Sequence, residues 1–398
     1  MKSLRLVVVL SSLCILISGH SERERLHDLM FKYPLIDGHN DLALQLRRFY
    51  NNELSQVDLH NVTKFATDIN RLRAGHVQAQ MFAVYVMCGA QEKDAVRLTL
   101  EQIDVVRRMC TEYQEFELVT SVQGIVHLMK HKIACLISIE GGHSIDSSLP
   151  TLRMFYLLGV RSMSLTHSCN TPWKVIVFQR ENNSLTHFGK VSLIEMNRLG
   201  MIVDLSHTAW DTASAVLKHS KAPVIFSHSS SYFICHHHRN VPDWILLDYS
   251  DFSMCFIYTD HFDHIKKLIG AESIGIGADF EGAVSFPQGL DDVSKYPDLI
   301  QELLQRNWTE NEVANILRGN FLRVFEEVER VSLKDECICF YDKLRIPVEE
   351  VQNPCRLVLR PPKPKEHRQS SSSRAHHGPK GLLILAIGLL LSSFFMDE

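Results

Sequence analysis

Net charge, long apolar runs and compositional bias are all scarce in this 398-residue chain, and each scarcity excludes a class of protein. Net charge is only -4 with histidine neutral, and the charges are spread out. No basic stripe marks a nucleic-acid partner. The apolar stretches at the two ends are both shorter than the roughly 20 residues a bilayer-spanning helix needs. With 45% hydrophobic and 22% charged residues, the composition is that of a folded globular protein with a large core. The length suits one α/β barrel with processed ends.

Both ends read as targeting signals. Residues 1–19 carry basic Lys2 and Arg5, the apolar run Leu6 to Leu10, and small residues at Ser18 and Gly19. This is the pattern of a cleaved secretory signal. At the other end, Ser370 to Ser373 precede a polar spacer, Arg374 to Lys380, and an apolar tail, Gly381 to Phe395. Small residues, spacer and tail in that order fit a glycosylphosphatidylinositol attachment signal, with Ser372 the expected attachment point. The alternative is a short transmembrane anchor, and Asp397 and Glu398 beyond the tail are atypical for either. The expected organisation is therefore a signal at 1–19, a catalytic barrel at 24–330, an extension and stalk at 331–373, and a removed tail at 374–398. The expected location is the outer face of the plasma membrane. A secretory route permits disulfides among the ten cysteines and glycosylation at Asn61, Asn182 and Asn307. Thr309 has a second reading as the N-cap of a helix, with Glu312 completing a capping box.

The stretch around which the chain is organised is Pro34-Leu35-Ile36-Asp37-Gly38-His39-Asn40-Asp41, a short apolar strand ending in two ligand-type residues. Residues two apart on a strand point the same way, so His39 and Asp41 aim at a common point. The pattern recurs. Ile133 to Ile139 runs into Glu140, Val160 to Thr166 ends at His167, and Met201 to Ser206 ends at His207. Pro223 to Ser227 ends at His228, and Ser273 to Ala278 ends at Asp279. Gln80 to Val86 and the weaker Ser253 to Tyr258 bring the total to eight strands. Helical periodicity over Asn61–Ala74, Ala95–Cys110, Leu149–Leu158, Ser192–Leu199, Thr208–His219 and Phe262–Leu268 alternates with them. Two closing helices, Pro297–Arg306 and Glu310–Arg330, follow. This is the pattern of a (β/α)8 barrel, whose strands all open onto one mouth. His39, Asp41, Glu140, His167, His207, His228 and Asp279 are expected to meet there.

Three histidines with three carboxylates exceed what one zinc ion needs. Two metals sharing a carboxylate and a water use them economically, with Glu140 as the bridge. His39 and Asp41 would complete one site, and His207 and His228 the other. A bridging hydroxide formed at neutral pH is the expected nucleophile. His236-His237-His238 does not share the strand-end pattern and reads as a solvated run.

Six motifs in order resemble the membrane dipeptidase (renal dipeptidase) family over roughly Glu24 to Glu327. They are Ile36-Asp37-Gly38-His39-Asn40-Asp41-Leu42, Ile139-Glu140-Gly141-Gly142, Leu165-Thr166-His167-Ser168-Cys169-Asn170-Thr171-Pro172-Trp173, Ile225-Phe226-Ser227-His228-Ser229-Ser230, Arg239-Asn240-Val241-Pro242-Asp243 and Gly277-Ala278-Asp279-Phe280-Glu281-Gly282. The resemblance implies a zinc dipeptidase of the amidohydrolase type, lipid-anchored and a disulfide-linked homodimer. It matches His39, Asp41, Glu140, His207 and His228 to the ligands of two zinc ions per subunit. It matches His167 to the group that polarises the scissile carbonyl, Arg239 to the clamp on the substrate's carboxylate, and Asp279 to the proton shuttle. It also implies a Cys88–Cys169 disulfide and an interchain bond at Cys355.

The chain departs from that pattern twice. Lys174 to Arg180 replaces the usual polar loop, and the strand-seven region is shortened, so that Met254 to Asp260 runs almost directly into Asp263. The shortening leaves Cys235 without its expected partner, with Cys255 as a doubtful substitute. Dipeptide hydrolysis is the leading expectation. A lipid-anchored homologue that binds ligands with little turnover, and a metal phosphoesterase, are the other readings weighed.

Overall fold

The computed structural model describes residues 23–129, 131–171, 185–248, 252–255 and 259–334. These lie within one compact unit, Met1–Arg356, and a second unit, Leu357–Glu398, falls wholly outside the described residues.

Nine strands are described: β1 Leu35–Asn40, β2 Val77–Tyr85, β3 Phe116–Leu118, β4 Ile133–Glu140, β5 Val160–Ser164, β6 Ile202–Asp204, β7 Val224–Phe226, β8 Phe252–Cys255 and β9 Ile274–Gly275. The order β1-β2-β4-β5-β6-β7-β8-β9 is parallel throughout, with β3 flanking the start of β4. Every residue of β4 is buried, as expected where helices cover a parallel sheet. The seam between β9 and β1 is closed by single bridges, Asp37 to Ile276 and Asn40 to Phe280. Gly38 N–H donates to Ile276 O at 2.8 Å there, and Asp41 N–H to Phe280 O at 2.9 Å. The ring is thus an eight-stranded (β/α)8 barrel. The seventh barrel strand, β8, pairs with both neighbours and keeps the circle intact.

The helices follow their caps more closely than their apolar periodicity. Of the stretch 61–74, only Ile69–Ala74 is helical. Asp68 caps it by accepting from Arg71 N–H, and its other oxygen accepts from Val62 N–H. Val62 and Phe65 are buried in irregular chain, so burial there imitates helical spacing. The helix expected over 310–330 starts with the Thr309–Glu312 capping box. It then widens into a π turn at Asn315–Gly319 and continues as Asn320–Lys334. Asn320 Nδ2 donates to Ala271 O and Ile274 O, tying that turn to β9. Phe321, Val324, Phe325 and Val328 pack with Ile36, Met81, Leu136, Ile202 and Ile225 from five strands. Helices Leu42–Tyr50, Val122–Val126 and Asp243–Asp248, and strand β3, were not legible as periodic segments.

Among the described residues two disulfides are formed, Cys88–Cys169 and Cys110–Cys135. The second joins helix Ala95–Glu112 to β4 and has no counterpart in the sequence-based expectations. Cys235 is unpaired and exposed. Cys355, Asn182, Ser372, the end segments and the 174–180 loop lie outside the described residues, as does the side chain of Cys255.

Candidate metal centre

Glu140 ends β4 and sits at the middle of the mouth. Its Oε1 lies 3.1 Å from His207 Nε2, 3.4 Å from His228 Nε2 and 3.6 Å from His167 Nε2. Its Oε2 faces the other way, 3.8 Å from His39 Nε2. His39 Nε2 is also 3.2 Å from Asp41 Oδ2 and 3.7 Å from Asp279 Oδ1. The seven strand-end residues therefore meet. They form three overlapping donor sets: His39, Asp41 and Asp279; His39, Glu140 and His228; and Glu140, His167 and His207. Glu140 and His39 each belong to two sets. Cys88, His143 and Cys169 also lie together, but the two sulfurs are already bonded to each other.

Unusual backbone delivers several of these groups. His207 and Asp279 adopt left-handed conformations, φ 63° and 59°. Such a conformation costs a non-glycine residue about 1–3 kcal/mol and concentrates at functional sites. Gly282 is required by crowding, since a Cβ there would collide with the carboxylates of Asp41 and Asp279.

The charges are arranged for cations. Burial opposes a proton on His39, but Glu140, Asp41 and Asp279 outweigh it and raise its pKa to about 10. Burial also raises Asp41 and lifts Asp279 well above the carboxylate range, with Glu140 adding to both. Burial alone would raise Glu140, yet His39, His207 and His228 hold it well below its usual value. His207 is pushed down to about 3 by burial and Arg239, and burial and His39 hold His228 well below the imidazole range. His207 and His228 are thereby neutral, as metal binding requires, whereas the proton that the acids hold on His39 has to leave when a cation takes its place. Asp41 Oδ1 and His228 Nε2 are buried without a hydrogen-bond partner, which fits ligand atoms awaiting a cation.

Arg239 brings its guanidinium to the same place. Burial lowers its pKa, while Asp279, Glu140 and Asp204 oppose that. Its Nη1 is buried without a partner. His237 is exposed, and no donor set includes a member of the His236–His238 run.

Several mouth residues escaped the sequence reading. Tyr85 ends β2 opposite Glu140 in the register, with its ring 4.2 Å from that of His167. Burial and the acids Glu140 and Asp41 push its pKa up to about 12. Its strand-end position was a usable signal, concealed by the apolar run that it closes. Ser164 Oγ accepts from Gly141 N–H at 2.7 Å and supports the turn after Glu140.

A closed parallel barrel whose mouth gathers carboxylates and imidazoles is the frame of a metallohydrolase. The sequence model of the membrane dipeptidase family (peptidase family M19) matches residues 23–249 and 256–337, and the chain belongs to that family. Dipeptidase 3 of Mus musculus is 45% identical over 376 residues, covering 88% of this chain and 75% of that protein. Dipeptidase 3 of Homo sapiens is 46% identical over 333 residues, 78% of this chain and 68% of that one. Among solved structures, a metallopeptidase from Rhodobacter sphaeroides, liganded with a phosphinate mimic of L-Ala-D-Ala, superposes with a TM-score of 0.68. It is 22% identical, with 74% of this chain and 99% of that chain covered, a likeness of fold. Among the described residues no helix is long and apolar enough to cross a membrane.

Proposed function

We propose that this chain is a dipeptidase that holds two zinc ions per subunit and hydrolyses the amide of small dipeptides at the cell surface. The observation that carries this reading is Glu140, whose two oxygens face different imidazoles, His207 and His228 on one side and His39 on the other. His39 and Asp41 would hold one ion, His207 and His228 the other, and Glu140 would bridge them. Bound there, the ions supply Lewis acidity and a bridging hydroxide at neutral pH.

The other roles fall to side chains. The guanidinium of Arg239, whose buried Nη1 has no hydrogen-bond partner, suits bidentate pairing with the substrate's free carboxylate. Ser168 Oγ lies 2.9 Å from His167 Nδ1. With that hydroxyl donating to Nδ1, the Nε2–H of His167 faces the mouth as a donor to the carbonyl oxygen and the oxyanion. Asp279, lifted by burial and by Asp41 and Glu140, can hold a proton at neutral pH and deliver it to the leaving amine. Asn61 and Asn307 are exposed, which suits glycosylation of a secreted chain. Lipid attachment at Ser372, glycosylation at Asn182 and homodimer formation through Cys355 belong to the same reading.

A second reading, a lipid-anchored homologue with little turnover, draws on the region around β8, where the family match is interrupted at residues 250–255. One experiment separates the two: zinc per chain, and chelator-sensitive hydrolysis across a panel of dipeptides. Two zinc ions with turnover support the dipeptidase. Two zinc ions without turnover support the binder, and a metal-free chain overturns both.

A further inference from the structure

Behind His228 lies a chain of buried polar groups that the reaction itself does not use. Ser227 Oγ is 2.5 Å from Asp204 Oδ2 and 2.7 Å from His228 Nδ1. The second oxygen of Asp204, Oδ1, accepts from Ser206 N–H at 2.9 Å and from Ser227 N–H at 3.0 Å. Asp204 and Ser227 are both buried, and Asp204 is the last residue of β6 while Ser227 follows β7. The backbone of His228 is held as well, its N–H donating to Ser206 Oγ at 3.0 Å.

We propose that Asp204 and Ser227 are positioning residues that fix His228 as its Nδ1–H tautomer and aim its Nε2 lone pair into the metal centre. This rests on the two-metal reading above. An ionised carboxylate accepts hydrogen bonds and cannot donate, so the Ser227 hydroxyl proton is directed to Asp204 Oδ2. Ser227 Oγ then has only lone pairs left for His228, and Nδ1 must carry the proton. Nε2 is left as an acceptor, and it is the buried ring nitrogen that has no hydrogen-bond partner. Burial pushes the Asp204 carboxyl upward, and the Ser227 hydroxyl and the two amides oppose it. If Asp204 were protonated the sequence of donors would reverse, Nε2 would carry hydrogen, and the imidazole could not ligate. His167 also has a serine hydroxyl on Nδ1, Ser168 Oγ at 2.9 Å, but among the described residues no carboxylate lies behind it to direct that hydroxyl's proton.

The test uses the full chain and zinc itself, with affinity read by chelator competition, stoichiometry by metal analysis, and thermal midpoints taken on the metal-free proteins. Ser227→Ala should weaken one of the two zinc ions by about 10–100-fold, the size typical of groups that orient a metal ligand. Ser227→Thr, which keeps the hydroxyl, should recover most of that loss, and its metal-free midpoint should stay near that of the parent. Asp204→Asn, where an amide can donate to Ser227, should weaken the same ion at least as much. Two zinc ions held by Ser227→Ala as tightly as by the parent would overturn the relay and leave the two-metal reading standing. A threonine variant no better than alanine, with equal metal-free stability, would do the same. A parent chain that binds no zinc overturns both.

Discussion

Strands β2 and β4 run for nine and eight residues, whereas β6, β7, β8 and β9 run for three, three, four and two. The early half of the barrel is built on a long ladder, with seven register pairs between β2 and β4 alone. The late half has little ladder and is stitched instead by buried side chains. Asp37 accepts from the His39 and Ala278 amides and from the Tyr296 hydroxyl at 2.6 Å. Asp204 joins β6 to β7, Ser206 reaches Ser229 at 3.1 Å, and Asn320 satisfies two carbonyls beside β9. Both halves feed the same site, Glu140 from the first and His207, His228 and Asp279 from the second. A ladder fixes a strand end through many weak equivalent bonds; a side-chain stitch does so through a few that cannot be spared.

This contrast can be tested from its largest expected consequence downward. Glu140→Gln removes the bridge common to both donor sets and should reduce dipeptide hydrolysis by at least about 10³-fold, with zinc content falling at both sites. Full occupancy and activity in that variant would refute the bridge. Asp37→Ala, at the stitched seam, strands two amides and a hydroxyl in the interior and should cost about 3 kcal/mol or more in denaturant unfolding. The matching change in the laddered half, Ser138→Ala, loses only a 3.5 Å contact to Phe82 O and should cost about 0.5 kcal/mol or less. Equal costs would remove the distinction between the halves. Arg239→Lys keeps the charge but not the fork, and should lower kcat/KM for dipeptides by about 10–100-fold.

A pH dependence is expected at the junction of the halves. Glu195 is buried, and although burial raises its carboxyl, the Arg198 and Arg153 hydrogen bonds outweigh that and lower its pKa below 4.5. A depressed carboxylate stabilises the fold above its unfolded value, and that contribution fades as pH falls through the folded value. Glu195→Gln should therefore lower stability by about 1–2 kcal/mol at pH 7. The gap to the parent should narrow below pH 4.5, as thermal midpoints across pH would show.

The mouth was legible in the sequence because each ligand-type residue directly follows an apolar run, and in a parallel barrel that position alone determines where it goes. The late strands were legible as apolar stretches but not in their extent, since Leu205 and Ser206 read as strand and lie beyond it. Asp204 and Ser227 carried no signal, because a polar residue at a strand end gains meaning only from its neighbour across the sheet. Cys110 and Cys135 likewise sit in segments whose periodicity says nothing of their pairing. The π turn at 315–319 is invisible to a helical pattern that continues on both sides of it.

The seam adds a dynamic consequence. Two backbone bonds, from the Gly38 and Asp41 amides, bridge β1 to the chain at Ile276 and Phe280, and the proposed ligands His39 and Asp41 lie on or beside that edge. Local opening there would separate His39 and Asp41 from Asp279 without melting the laddered half. Deuterium uptake at these two amides is thus a direct gauge of how often the ring breathes. It should slow once the mouth is loaded with metal, because an ion that ties His39 and Asp41 to Glu140 restrains β1, and an opening that moves β1 has to release it.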